Sequence, residues 1–440
     1  MLNETASSTD DRPMLRPSVR HAPNENNAAR EEIRRIVMSV LMIERETFNI
    51  DESAAGENMA ILGGNAYLIA TFEGRLTIES EVAYEQIDRA FAPLNYVPLF
   101  REANGKHVIR VIGGRARPQA RGRLLNLILF IATLFSVLLV GTEMAINEIY
   151  ASNPAGALAL LNNLPLELWR GLPYAISILL ILGAHEFGHY FAARRHRLVV
   201  TLPYFIPLPF ISPIGTMGAF IQLREPMRNR KVLLDVGAAG PLAGLIVALP
   251  ILFIGLMTAQ VGPITPGGTV EGNSVLYALA KIIVFGRFLP DGAVDVYVNQ
   301  MAWAGWTGLL VTGLNLLPLG QLDGGHILFS LIGDHARKLY VPILALLILL
   351  TLFVTEAWVL WLFLLLLFGR YYAAPLDMIT PLDKRRRWIA VFSLAVFFLT
   401  FVPVPFTIAE AANSPALPRD SVLLPLAIGL IALWARRRAR

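Results

Sequence analysis

Cysteine is absent from the 440 residues, which excludes disulfides, thiolate metal sites and a cysteine nucleophile, and leaves any metal to His, Asp or Glu. Charge is scarce as well. Only 16% of residues are Asp, Glu, Lys or Arg against 55% hydrophobic, whereas the surface of a soluble enzyme needs roughly a quarter charged residues. The composition therefore points to the bilayer as solvent. The net charge of +5 does not indicate nucleic acid as a partner, because the basic residues gather beside apolar segments, as membrane topology requires. The first thirty residues lack an apolar run and fit no secretory signal peptide; their several acidic residues also make a poor transit peptide.

Four segments follow from this patterning. Residues 1–29 read as a disordered amino terminus. Residues 30–114 read as a small soluble α/β domain, opening with Ile33, Ile36, Val37, Val40 and Leu41 at helical spacing. A strand from Ala66 to Phe72, a helix from Glu79 to Phe91, and two strands joined across Asn104-Gly105 complete it. Residues 115–336 read as a membrane-embedded core, and 337–440 as additional carboxy-terminal spans.

About eight stretches approach the ~20 apolar residues that cross the hydrocarbon: Leu124 to Ala145, Leu172 to Ala193, Val232 to Met257, Asn299 to Leu317, Leu339 to Val354, Trp358 to Phe368, Trp388 to Val404, and Ser421 to Ala435. With the amino terminus inside, Arg194 to Arg197, Arg224 to Lys231, Arg337 with Lys338, Arg370, Lys384 to Arg387 and Arg436 to Arg440 all fall on one side. Both termini are then expected in the cytoplasm of a bacterial inner membrane. The segment from Tyr277 to Phe285 is short and contains Lys281, and is not counted as a span.

Within the second stretch stands His185-Glu186-Phe187-Gly188-His189. Two histidines four apart share one face of a helix and can grip one zinc ion, with Glu186 placed to take a proton from bound water. Three ionisable side chains within five residues at membrane depth call for a compensating partner. A third ligand must come from elsewhere. At the end of the fourth stretch the sequence reads Asn315-Leu-Leu-Pro318-Leu-Gly320-Gln-Leu-Asp323-Gly324-Gly325-His326, where Pro318, Gly320 and the Gly pair break the helix and let a carboxylate turn back. Asp323 is the favoured ligand and His326 its rival.

Together, His185-Glu-Phe-Gly-His189 and Asn315-Leu-Leu-Pro318 with Leu322-Asp323-Gly324 resemble the site-2 protease family, peptidase family M50, which carries the paired signatures HExxH and NxxPxxxxDG. The resemblance covers roughly Leu172 to Ile332. It implies one zinc ion per chain on His185, His189 and Asp323, Glu186 as the residue that activates water, and Asn315 as the residue that steadies the reacting peptide. The stretch Leu202 to Leu223 is similar to the family's membrane-associated strand region, so Gly215, Thr216, Met217, Gly218, Ala219 and Phe220 are expected to hold an extended substrate segment at a strand edge. The expected partners are single-span transmembrane substrates and the lipid bilayer, with no nucleic acid.

Two departures stand out. No outer loop is long enough for a PDZ domain, and in Gly240-Pro241-Leu-Ala-Gly244 a Gly occupies the place where many members carry Asn. The amino-terminal domain and extra carboxy-terminal spans resemble most the branch found in photosynthetic lineages. A zinc-binding transporter or an inert scaffold of the same fold are the alternatives. The first has no paired inverted segments to support it, and the second has no use for an intact Glu186. His196, His335, Glu143, Glu148, Trp303, Trp306, Trp358 and Trp361 read as topogenic, interfacial or packing residues.

Overall fold

A computed structural model describes residues 23–48, 67–115, 122–264, 268–292 and 294–408. Its amino-terminal unit runs α1 (Pro23–Met38), β1 (Leu41–Phe48), β2 (Tyr67–Leu76), α2 (Ser80–Phe91), β3 (Tyr96–Ala103), β4 (Lys106–Gly113). The four strands pair antiparallel in the order β1-β2-β4-β3. Asn104 and Gly105 both adopt positive φ, 53° and 74°, the backbone of a tight two-residue hairpin whose twist matches its strands. Ile33, Val37, Phe72, Ile87, Phe91, Phe100 and Ile109 close the core.

Two sequence expectations need correction here. Helix α1 starts at Pro23, inside the segment read as disordered, because the helix-forming run from Ala28 onward extends back over polar residues. It also stops at Met38, so Leu41 does not continue its apolar face but opens β1. Val40 and Leu41 are buried either way, which is why helical spacing alone misassigned them.

The remainder is a helical bundle. It comprises α3 (Leu124–Ser152), α4 (Pro154–Leu161), α5 (Leu164–Glu167), α6 (Leu172–Arg195), the hairpin β5 (Tyr204–Pro207) and β6 (Thr216–Phe220), and α7 (Arg230–Met257). A cap follows from β7 (Gln260–Pro263), β8 (Thr269–Glu271), α8 (Val275–Phe285) and β9 (Val294–Tyr297). Then come α9 (Gln300–Asn315), α10 (Asp323–Ile332), α11 (His335–Lys338), α12 (Tyr340–Phe353), α13 (Val359–Phe368), α14 (Lys384–Thr400) and β10 (Phe406–Ile408).

Among the described residues four helical segments are long and apolar enough to cross a membrane: Leu124–Tyr150, Leu164–Arg195, Arg230–Met257 and His335–Phe353. The chain is an integral membrane protein. These segments account for four of the eight expected stretches; α9, α13 and α14 are 16, 10 and 17 residues long, and the stretch from Ser421 to Ala435 lies outside the described residues. Helix α7 forms the bundle axis and packs on α6, α9, α10 and α14. Lys281 in α8 is fully buried and satisfied by Glu271 at 3.1 Å and Asp295 at 3.0 Å, so its presence in an apolar helix reflects a buried ion cluster in the cap.

The carboxy-terminal part is not an appendage to the core. Strand β10 pairs with β8, and Trp358 buries its ring while donating its indole N–H to the Pro403 carbonyl at 2.7 Å. Residues 376–378 bridge the soluble unit to α7. Phe100 N–H donates to the Leu376 carbonyl (2.9 Å), Met378 N–H to the Phe100 carbonyl (3.1 Å), and Asp377 N–H to the Arg228 carbonyl (2.7 Å). Glu81 accepts from Lys231 at 2.6 Å and from Asn229 at 3.3 Å, and Asn229 caps α7 by accepting from Val232 N–H.

Because Phe100 is wholly buried at this junction, Phe100→Ala is expected to cost about 3 to 5 kcal/mol. Lys231→Ala, which removes a half-exposed ion pair, is expected to cost under about 1 kcal/mol. Denaturant unfolding of the two variants side by side measures the difference.

Candidate metal centre

Helix α6 carries His185, Glu186 and His189, all buried. The i, i+4 spacing puts both imidazoles on one face, and that face lies against α7. Contact at this depth is possible only because small residues line it. A Cβ on Gly188 would come within 2.5 Å of the Ala239 carbonyl oxygen, and a Cβ on Gly240 would fall 2.1 Å from His189 Nε2. Gly244 approaches the His185 side chain, with a hypothetical Cβ 3.4 Å from Nδ1, so the glycine at this place leaves room for that ring.

The third group arrives by a turn. Helix α9 ends at Asn315; Gly320 takes φ of 56°, and Asp323 is the first residue of α10. The Gly pair does not break the helix, as the sequence suggested, but begins it. Cβ atoms on Gly324 and Gly325 would sit 1.9 Å from the Leu316 carbonyl oxygen and 2.4 Å from that of Gly320, so only glycines let α10 start this close beneath the turn.

The three side chains converge. His185 Nε2 and His189 Nε2 each lie 3.3 Å from Asp323 Oδ2, and 3.2 Å from each other. In a tetrahedral zinc site with bonds of about 2.0 to 2.1 Å, neighbouring ligand atoms stand about 3.3 to 3.4 Å apart. The observed triangle matches that spacing and leaves a fourth position free. His189 Nδ1 lies 2.7 Å from the Val236 carbonyl, which fixes the proton on Nδ1 and turns the Nε2 lone pair toward the centre of the triangle. The donor set, two imidazoles and a carboxylate with one place open, is that of a catalytic zinc.

Glu186 lines the same cavity of about 280 Å³, together with Asn315, Phe220, Ile221 and His326. Ile221, directly after β6, stands beside it on the cavity wall. The Asn315 amide stands 3.3 Å from His185 Nε2. His326, the rival ligand, is brought to the cavity wall but not into the triangle, and its Nδ1 is buried without a partner among the described residues.

A second, larger cavity of about 460 Å³ adjoins the first, lined by Glu186 and Asn315, by Thr216, Met217, Gly218 and Ala219 of β6, and by Leu310, Trp358, Trp361 and Phe406. Strand β6 pairs only with β5 among the described residues, leaving its other edge open. Gly215 is placed apart from this group: its carbonyl accepts from the Ser136 hydroxyl, and its φ of 78° turns the chain against α3. His196, read as topogenic, pairs with Asp235 at 2.9 Å. The pair Gly240-Pro241 was visible in the sequence, but the contact of Gly240 with a ligand ring was not.

A buried His-Glu-x-x-His helix closed by an Asp from a second helix end, inside a membrane bundle, defines a zinc-metalloprotease type of centre. Residues 173–355 match the model of peptidase family M50. The chain is 32% identical over 292 residues to the probable zinc metalloprotease EGY2, chloroplastic, of Arabidopsis thaliana, covering 61% of this chain and 51% of that protein. It is 31% identical over 229 residues to the probable zinc metalloprotease EGY1, chloroplastic, of Oryza sativa subsp. japonica, covering 48% and 38%. With the probable zinc metallopeptidase EGY3, chloroplastic, of Arabidopsis thaliana it shares 28% identity over 182 residues, 37% and 30% of the two chains. The matches thus span about half or less of these relatives' length. Through this stretch the chain is similar to peptidase family M50.

Gly240→Ala is expected to push the His189 ring off the triangle and lower zinc content well below one per chain. Gly183→Ala on α6, whose Cβ would meet nothing within 4 Å, should leave it unchanged. Elemental analysis of both purified variants, with circular dichroism to verify helicity, checks the pair.

Proposed function

We propose that this chain is an intramembrane zinc metalloendopeptidase that cleaves single-span transmembrane proteins. The observation that carries the reading is the triangle of His185, His189 and Asp323 with Glu186 and an open strand edge in the same pair of cavities. Zinc bound there would lower the pKa of water toward ~7 and polarise the scissile carbonyl. Glu186 takes the proton of the attacking water and delivers it to the departing amine. Asn315 offers its amide N–H to the oxygen that gains charge. The free edge of β6, from Thr216 to Phe220, pairs with an unwound substrate segment, which exposes one peptide bond that a helix would keep shielded. Gly215 supports the hairpin from behind, against α3. A transporter or inert scaffold is favoured by none of these features, since neither uses a carboxylate beside the metal triangle and an open strand edge together.

The bilayer is the proposed setting, with both termini in the cytoplasm of a bacterial inner membrane. The contacts of His196 and Arg386 with Asp235, and of Arg230 with the Ser330 carbonyl, gather the basic ends of α6, α7 and α14 at one face, in keeping with the positive-inside rule.

Cleavage of a panel of single-span membrane substrates by the purified protein tests the reading. Glu186→Gln is expected to retain zinc and lose cleavage by at least about 10²-fold, Asp323→Ala to lose both, and Asn315→Ala to keep zinc with reduced kcat. Undiminished cleavage by Glu186→Gln would refute the assignment.

A further inference from the structure

Between α2 of the soluble unit and the arginine-rich end of α6 lies a polar cavity of about 400 Å³, walled by four arginines, Arg89, Arg195, Arg197 and Arg228, by Tyr84 and His196, and by two carboxylates, Glu85 and Asp88. Its carboxylates are already engaged: Glu85 accepts from Arg89 at 3.3 Å, and Asp88 pairs with Arg115. His196 is held by Asp235. That leaves Arg195, Arg197 and Arg228, whose guanidinium groups have no ion pair or side-chain hydrogen bond among the described residues. Arg195 and Arg197 are exposed and Arg228 is half-buried, and three unpaired cations around one cavity favour an anion among them.

Tyr84 supplies an independent sign. It is 3% exposed, and its hydroxyl is buried without a hydrogen-bond partner, whereas buried hydroxyls in folded proteins almost always have one. Burial pushes the phenol well above its ordinary pKa, so the group remains an O–H donor throughout the physiological range. A donor without an acceptor, next to unpaired guanidinium groups, is the complement of an anion rich in acceptor oxygens. Arginine forks match phosphate oxygens in geometry, and the volume exceeds that of a bare ion and falls in the range of small-ligand sites.

We propose that this cavity binds a phosphate ester, with the phosphate held by Arg195, Arg197 and Arg228 and by the Tyr84 hydroxyl. Such a ligand ties the soluble unit to the helix that carries His185, Glu186 and His189, about 15 Å along the axis at 1.5 Å per residue. Two sources share the chemistry, a soluble nucleotide or the headgroup of an anionic lipid. The site does not depend on the peptidase reading, and its test needs no substrate.

The experiment uses the full chain purified in neutral detergent at constant ionic strength. Inorganic phosphate and ATP are titrated by calorimetry and thermal shift. In parallel, native mass spectrometry scores retention of phosphatidylglycerol against phosphatidylcholine. Saturable binding of phosphate or ATP identifies a soluble ligand; selective retention of phosphatidylglycerol identifies the lipid. In either arm the Arg195→Ala, Arg228→Ala double variant should bind at least about tenfold more weakly. Tyr84→Phe should weaken binding while raising the melting temperature of the ligand-free protein, because it removes the orphan hydroxyl. No saturable binding in either arm, or a double variant that binds as wild type does, overturns the proposal.

Discussion

Two imidazoles and one carboxylate held within about 3.3 Å of one another inside an apolar bundle set the terms for the rest of the structure. Such a cluster is costly in a bilayer unless a cation joins it, and a cation joins it only if the three ligand atoms are held to a few tenths of an ångström. The fold meets that demand by bringing helices unusually close. Gly188 and Gly240 let α6 and α7 touch backbone to side chain, and the turn after Asn315 is compressed by Gly320, Gly324 and Gly325 until Asp323 reaches the histidines. In a membrane, where apolar surface drives little association, such close small-residue contact is the principal source of helix packing.

The same economy links distant parts of the chain. Residues 376–378 stitch β3 of the soluble unit to the residues that open α7, and α7 in turn presents the Val236 carbonyl that orients His189. The β5–β6 hairpin is anchored from behind by Gly215 on α3, and Ile221, directly after β6, shares the cavity wall with Glu186. Trp358 and Phe406, from the carboxy-terminal region, wall the larger cavity. The site is therefore assembled from segments spread over more than half of the sequence.

Legibility in the sequence followed the range of the interaction. His185, Glu186 and His189 were readable because one helix turn fixes their relation. Asp323 was readable because a Pro- and Gly-interrupted stretch at the same depth offered the one other cluster of metal-competent groups. The Asn104-Gly105 hairpin needed only two residues. What escaped depended on partners far away: the role of Gly240 exists only against His189, the bond between Gly215 and Ser136 of α3 joins residues far apart in the chain, and the bridge at residues 376–378 has no local signature. Strand β1 was hidden because Val40 and Leu41 continue a helical period by coincidence. Apolar runs such as Trp358 to Phe368 read as spans in the sequence, and the helix formed there, α13, is 10 residues long.

X-ray absorption at the zinc edge of the purified chain tests the central claim most directly. The account predicts one zinc per chain with two imidazole nitrogens and carboxylate or water oxygens at about 2.0 to 2.2 Å and no sulfur, and loss of the imidazole signal in His185→Ala. A protein without stoichiometric zinc, or a zinc shell unaffected by that substitution, would contradict it.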